Sequence, residues 1–196
     1  MKTVIIFAHP NVESGSIANR IIFNEIEGVR DVEIRNIHQM YPDFKIDAEA
    51  EQKSLLESDV IIFQFPFHWY SIPGILKEWL DKVFLYGFAY GGAGDMLNGK
   101  EFLISTTVGG PAVSYQEGRH NSFTVEEFLR PLEQTAKLAG MNFNQPLVTH
   151  NMVYIPDVYN KKEEVEQRAR AHAGRLLRFI NETASNKLKL LEMLKV

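Results

Sequence analysis

Three segments of this chain gather side chains suited to gripping a phosphate or a flat ring. Residues 9–19 read His-Pro-Asn-Val-Glu-Ser-Gly-Ser-Ile-Ala-Asn. His9, Ser14, Ser16 and Asn19 crowd the point where an apolar helical repeat begins, at Ile17 and Ala18. Open N–H groups and a partial positive charge at such a helix start suit a phosphate without a lysine. The same serines suit ordinary N-capping. Residues 66–70 read Pro66-Phe67-His68-Trp69-Tyr70. Four flat side chains in a row suit the walls of a planar ligand, or a lid packed on the helix that follows. Residues 106–110 read Thr106-Thr107-Val108-Gly109-Gly110, with Pro111 next. The hydroxyls and the bare glycine backbone would let a ligand ring approach closely; a tight turn is the alternative use.

Strands must position these segments. Val4–Ala8 is a continuous apolar run, and Val60–Phe65 and Phe102–Val108 read as two further buried parallel strands; each of the three segments lies at the end of one. Val32–Ile37 alternates apolar and polar like a strand near a sheet edge, and a fifth strand is expected within Pro146–Tyr154. Helical spacing lies between them. Ile17, Ile21, Ile22 and Ile26 repeat up to a stop at Gly28, and Asp47–Glu57 is a polar helical stretch. Ile75, Leu76, Trp79, Leu80, Val83 and Phe84 form one stripe entered through Ser71 and Pro73. Gly87–Gly99 reads as loop. Thr124 would cap a helix reaching Ala139, with Gly140 as its stop. Lys161–Glu182 is a long amphipathic helix, and Leu188–Leu194 would add a turn or two. The alternation predicts a three-layer α/β fold with a parallel sheet, in a single domain over 1–196 with a helical tail from about 183. In such sheets ligands sit beyond the carboxyl ends of the strands, where the strand order reverses. Three ligand-friendly loops at that edge point to a mononucleotide.

Composition removes other classes. Hydrophobic residues are 45% of the 196, net charge is −4, and no block of like charge invites nucleic acid or an anionic membrane. There is no cysteine, which excludes disulfides, thiolate metal sites and a cysteine nucleophile. The six histidines lack metal-ligand spacing. Gly94–Lys100 mimics a nucleotide-triphosphate loop, but Glu101 stands where the magnesium hydroxyl belongs, and the segment precedes a strand instead of following one. No Gly-x-Gly-x-x-Gly follows a strand, and no Gly-x-Ser-x-Gly occurs. No apolar run is long enough to span a membrane, and residues 2–8 are too short for a secretory core. A cytoplasmic protein is expected.

Longer segments carry a family resemblance. They are Tyr41-Pro42-Asp43-Phe44 with Ile46-Asp47, Gln64-x-Pro66-x-x-Trp69-Tyr70-Ser71-Ile72-Pro73, and Leu76-Lys77-x-Trp79-x-Asp81-Lys82-Val83-Phe84. Gly87-x-Ala89-Tyr90-Gly91 and Thr106-Thr107-x-Gly109 continue the series. Across about residues 2–180 the chain resembles the flavodoxin-like NAD(P)H:quinone oxidoreductases. The nearest branch is the bacterial one of general stress protein 14 and the ancillary oxidoreductases of potassium-efflux systems. The resemblance implies a five-stranded parallel sheet in the order 2-1-3-4-5. It also implies a flavin (FMN preferred, FAD open), NADPH or NADH as hydride donor, and a quinone acceptor reduced in ping-pong fashion. His9, Ser14, Ser16, Ile17, Ala18 and Asn19 would hold the flavin phosphate. Pro66, Phe67, His68, Trp69 and Tyr70 would contact the ring, and Thr106, Thr107, Val108, Gly109 and Gly110 would flank its other edge. Tyr115 and His120 fall where the family places a catalytic Tyr/His pair. Tyr90, with His68, would line the acceptor pocket across a homodimer interface. The alternatives are a regulatory subunit on a potassium-efflux transporter and a flavodoxin-type electron carrier.

Overall fold

The computed structural model describes residues 1–92 and 94–193. In chain order the strands are β1 (Thr3–Phe7), β2 (Val32–Asn36), β3 (Val60–Pro66), β4 (Glu101–Thr107), β5 (Asn142–Phe143) and β6 (Leu147–Thr149). The helices are α1 (Val12–Gly15), α2 (Ile17–Ile26), α3 (Ile37–Met40), α4 (Ala48–Glu57), α5 (Gly74–Val83), α6 (Val125–Phe128), α7 (Arg130–Leu138) and α8 (Lys162–Met193). All sheet pairings are parallel, in the order β2-β1-β3-β4-β5, with β6 also on β4. The expected order holds, and the alternating strand sits at the edge.

β1 and β3 are buried along their whole length, and β4 beyond Glu101, because both faces are covered. Successive side chains point to opposite faces. Val4, Ile6, Ile61, Phe63 and Phe65 therefore join one core with α5, while Ile5, Val60 and Ile62 join the other with α2 and α8. On α5 the stripe is as expected: Ile75, Leu76, Trp79 and Val83 are buried, with Leu80 and Phe84 partly so. Trp79 meets Phe63 edge-on with ring centroids 5.5 Å apart.

Four expectations need correction. The fifth strand arrives as two pieces, β5 and β6. They are separated by Asn144-Gln145-Pro146, where proline has no N–H for the ladder. Ser71 does not cap α5; Pro73 holds the cap position without a side-chain bond. Thr124 does cap a helix, through a reciprocal box with Glu127, but that helix stops at Phe128. Pro131, in the first turn of α7, cannot donate to the preceding turn, so the expected single helix is two. The long C-terminal helix begins at Lys162 and continues unbroken to Met193, so the expected tail is its extension. Residues 194–196, and residue 93 within the Gly87–Gly99 loop, lie outside the described residues.

One polar group sits inside this frame. Glu51 on α4 is wholly buried. Its carboxylate accepts from Arg35 Nε at 2.8 Å and Nη2 at 2.5 Å, from Tyr41 Oη at 2.5 Å and from Trp79 Nε1 at 2.8 Å. It thereby joins β2, the loop after α3, and α5. Burial, followed by the hydrogen bond to Glu51 and then its charge, pushes the Tyr41 phenol up to about 12, so Tyr41 remains a donor. Removing one member of such a set strands the others without water. Glu51→Ala should lower unfolding free energy by about 3–5 kcal/mol in a urea titration. Glu51→Gln, which keeps an acceptor, should lower it by less.

Candidate functional site

Because β1, β3 and β4 are neighbours, the loops that follow them meet at one edge. Ladder bonds continue beyond the strands: Ala8 N–H donates to Gln64 O, Phe67 N–H to Thr107 O and Val108 N–H to Thr149 O, each within 2.8–2.9 Å. One side chain ties the three loops together. Asn19, at the start of α2 and buried, donates from Nδ2 to Thr107 Oγ1 at 3.0 Å and to Ser16 Oγ at 3.2 Å. Its Oδ1 accepts from Gln64 Nε2 at 3.3 Å. Of the residues expected to bind phosphate, Asn19 is thus a fixed internal strut.

The rest of the first loop is built for an anion through backbone. Ser16 caps α2, its Oγ accepting from Asn19 N–H at 3.1 Å. Ser14 donates to Asn11 Oδ1 at 3.0 Å within the short α1 turn that Asn11 caps. Both serines therefore do the capping-loop work that was the alternative for them. The N–H groups of Ser16, Ile17 and Ala18 have no partner within the helix, as at any helix start. Ala18 turns its side chain into the core, so it offers only backbone. His9 is buried and accepts from Asn11 N–H through Nδ1 at 3.1 Å. Burial first, then the neighbouring His68 and His38, lower it to about 4, so at neutral pH it is an uncharged Nε2–H donor.

The second loop is a two-residue hairpin. His68 and Ser71 exchange both backbone bonds, at 3.0 and 2.9 Å. Trp69 and Tyr70 occupy the turn with φ of +48° and +62°. Such a turn favours Asn-Gly, and bulky residues there carry strain of about 1–3 kcal/mol each. The strain presents an indole that is 94% exposed. Phe67 packs against Tyr115 and Phe128, with ring centroids 6.2 and 5.8 Å apart. Tyr70 Oη donates to Asn121 Oδ1 at 3.1 Å, and Asn121 Nδ2 donates to Ser114 Oγ at 3.0 Å. That pair joins the second loop to the third.

In the third loop the threonines serve the frame. Thr106 Oγ1 donates to Phe65 O at 2.9 Å, and Thr107 meets Asn19. A Cβ on Gly109 would lie 3.1 Å from Val153, and one on Gly110 would lie 3.3 Å from the Tyr115 ring. Glycine lets these neighbours close in. Tyr115 is half-buried; burial, then Tyr70 and Tyr159, raise its phenol, which stays protonated. Of the expected pair, His120 is exposed in the loop after Tyr115. The imidazole that packs on Tyr115 is His150, with ring centroids 5.3 Å apart. Tyr90 lines a groove of about 350 Å³ bordered by Leu80, Phe84, Leu85 and Leu138. Among the described residues no cluster of His, Asp or Glu is placed to hold a metal.

The segment after β6 also reaches this edge, and it was expected as strand, with no site residue on it. Its signal was available: His150 directly follows a short strand, as His9 and His68 follow theirs. A buried relay anchors it. His172 on α8 bonds Ser105 Oγ through Nε2 at 2.7 Å and Thr149 Oγ1 through Nδ1 at 2.6 Å, while Arg175 Nη2 donates to Thr149 Oγ1 at 2.5 Å. With Arg175 donating, the Thr149 proton is free for Nδ1, and Nε2–H faces Ser105. Burial, then Arg175, lowers His172 to about 3. Its unfolded value is near 6.5, so this contribution to stability is complete above pH 6.5 and is lost as pH falls toward 3. Urea midpoints across pH 7 to 4.5 should fall in the native chain. In His172→Leu, less stable throughout, the slope should be smaller by about 1.4 kcal/mol per pH unit.

Known proteins share this architecture. A family model described as a flavodoxin-like fold matches residues 1–175. The uncharacterized NAD(P)H oxidoreductase YrkL of Bacillus subtilis (strain 168) is 38% identical over 167 residues, 84% of this chain and 95% of the relative. General stress protein 14 from Treponema denticola, solved in complex with FMN, is 33% identical with a TM-score of 0.80, over 90% of this chain and 98% of that one. An NADPH-quinone reductase from P. pentosaceus is 31% identical with a TM-score of 0.75, over 88% and 96%. A thermophilic tryptophan halogenase from Streptomycin violaceusniger is 37% identical with a TM-score of 0.81, over 89% and 98%. With the family model spanning the whole sheet and the loops at its carboxyl edge, the chain belongs to the flavodoxin-like fold family.

Proposed function

We propose that this chain is a flavin-dependent NAD(P)H oxidoreductase that reduces quinones or similar acceptors by two electrons. The observation that carries the proposal is the pairing, at one sheet edge, of an open helix start with an exposed, strained aromatic wall. The residues fit FMN. Backbone N–H groups of Ser16, Ile17 and Ala18 suit its phosphate without fixed cationic help. An indole 94% exposed, in the same hairpin turn as Tyr70, is apolar surface that a flat ring would cover. The relative solved with FMN and the relative named an NADPH-quinone reductase support the cofactor and the acceptor class.

A bound flavin would supply the hydride chemistry; the protein orients and shields it. Tyr115, kept protonated by its surroundings, would donate to negative charge arising at the ring edge. His9, uncharged, would donate near the phosphate without competing for it. One exposed face would serve the nicotinamide and then the acceptor, which predicts ping-pong kinetics. The groove at Tyr90, with Leu85, Tyr86 and Leu138 exposed around it, would be covered by a second copy of the chain. The working location is the cytoplasm, where NAD(P)H is available.

The test is reconstitution with FMN, removal of the excess, and an assay of NADPH and NADH oxidation with a quinone. A yellow protein giving parallel double-reciprocal lines is expected. A colourless protein that oxidises neither donor refutes the proposal. Tyr115→Phe should keep its flavin and lose about 10²-fold in kcat.

A further inference from the structure

The region around Tyr115 contains a group that the functional reading does not use. His150 Nδ1 lies 3.2 Å from Gly110 O, and the same carbonyl accepts from Asn151 N–H at 3.2 Å. The His150 ring packs on Tyr115 at 5.3 Å. Tyr115 in turn leans on Gly110: a Cβ there would be 3.6 Å from the phenol oxygen. Gly110, Tyr115 and His150 are therefore in mutual contact, and two of the three belong to the proposed flavin edge.

Both sides of His150 are anchored. Before it, Thr149 is held by His172 and Arg175. After it, Asn151 Oδ1 accepts from Tyr159 Oη at 2.7 Å, and Asn151 O accepts from Arg168 Nε at 3.1 Å. An imidazole held this firmly is placed to hold something else. The carbonyl it meets belongs to a glycine, a residue type with more backbone freedom than any other. A carbonyl oxygen only accepts, so Nδ1 carries the proton and Nε2 is left open.

We propose that His150 is a positioning residue for the flavin edge: it fixes the Gly110 backbone through Nδ1–H and the Tyr115 ring through packing. The inference rests on the flavin reading and deepens it. His150 itself makes and breaks no bond in the reaction. It holds the donor that does the work and removes the backbone freedom of the glycine beside it.

Two substitutions separate donor from ring. His150→Phe keeps a flat ring but loses the Nδ1–H, whereas His150→Asn keeps a donor at nearly the same place and loses the ring. His150→Phe should weaken FMN binding roughly tenfold, the scale of one lost hydrogen bond in a buried setting. His150→Asn should recover most of that affinity, yet show a kcat reduced by roughly tenfold with KM little changed, since Tyr115 is then unsupported. Equal loss in both variants marks a merely structural role and overturns the proposal, as does native behaviour in both, or a loss confined to His120→Phe. A second readout needs no flavin. In the apo protein, imidazole NMR signals of His150 should move on Tyr115→Leu, and the Nδ1 proton should be slow to exchange. An unmoved, fast-exchanging His150 overturns the cluster. If the native chain takes up no FMN, the functional reading falls, and this NMR arm still decides whether His150 holds Gly110 and Tyr115.

Discussion

The Asn19 side chain is the constraint on which the carboxyl edge of the sheet depends. It bonds Thr107 at the end of β4, Gln64 near the end of β3, and the Ser16 cap of its own helix. Buried amide groups are costly unless satisfied, so this set locks three loops into one relative position. The helix start, the aromatic hairpin and the glycine turn are then parts of one surface. Parallel pairing brings the strands side by side, and Asn19 fixes how their ends meet.

That surface carries little fixed charge. His9 is held neutral, Tyr115 is held protonated, and the open helix start supplies its positive end through backbone dipoles. Strain is placed in the hairpin, where Trp69 and Tyr70 adopt a backbone that glycine would prefer. Polar relays lie behind and below the surface, at Glu51 and at His172, where they join helices to strands. The frame is rigid, and the edge is left with donors and flat apolar surface. Such an edge suits a ligand that brings its own reactivity and a phosphate.

Much of this was legible in the residues. Apolar-rich runs without strict alternation revealed the buried strands, because burial on both faces removes the alternation a one-sided strand would show. The loops after three of them marked the edge. The break at Pro131 was readable in principle, because proline cannot donate to the turn before it; the cap at Thr124 and the stop at Gly140 span it. The splitting of the last strand was less legible, since β5 has only two residues. Glu51 and His172 could not be found locally: a buried charge or imidazole in an amphipathic helix looks like any polar position until its partners arrive from distant segments. The same holds for Tyr115 and its histidine. The resemblance points to His120 in the same loop, and the imidazole that packs on Tyr115 comes from His150, on another strand end.

The central claim is that an open helix start held by Asn19 grips the phosphate of a flavin whose ring lies on the Trp69 wall. FMN and riboflavin share the ring and differ by that phosphate, so titrating the apo protein with each, and following flavin fluorescence, separates the two halves of the claim. The account predicts saturation at one FMN per chain and riboflavin weaker by about 100-fold. Equal affinities, or no binding of FMN, would contradict it.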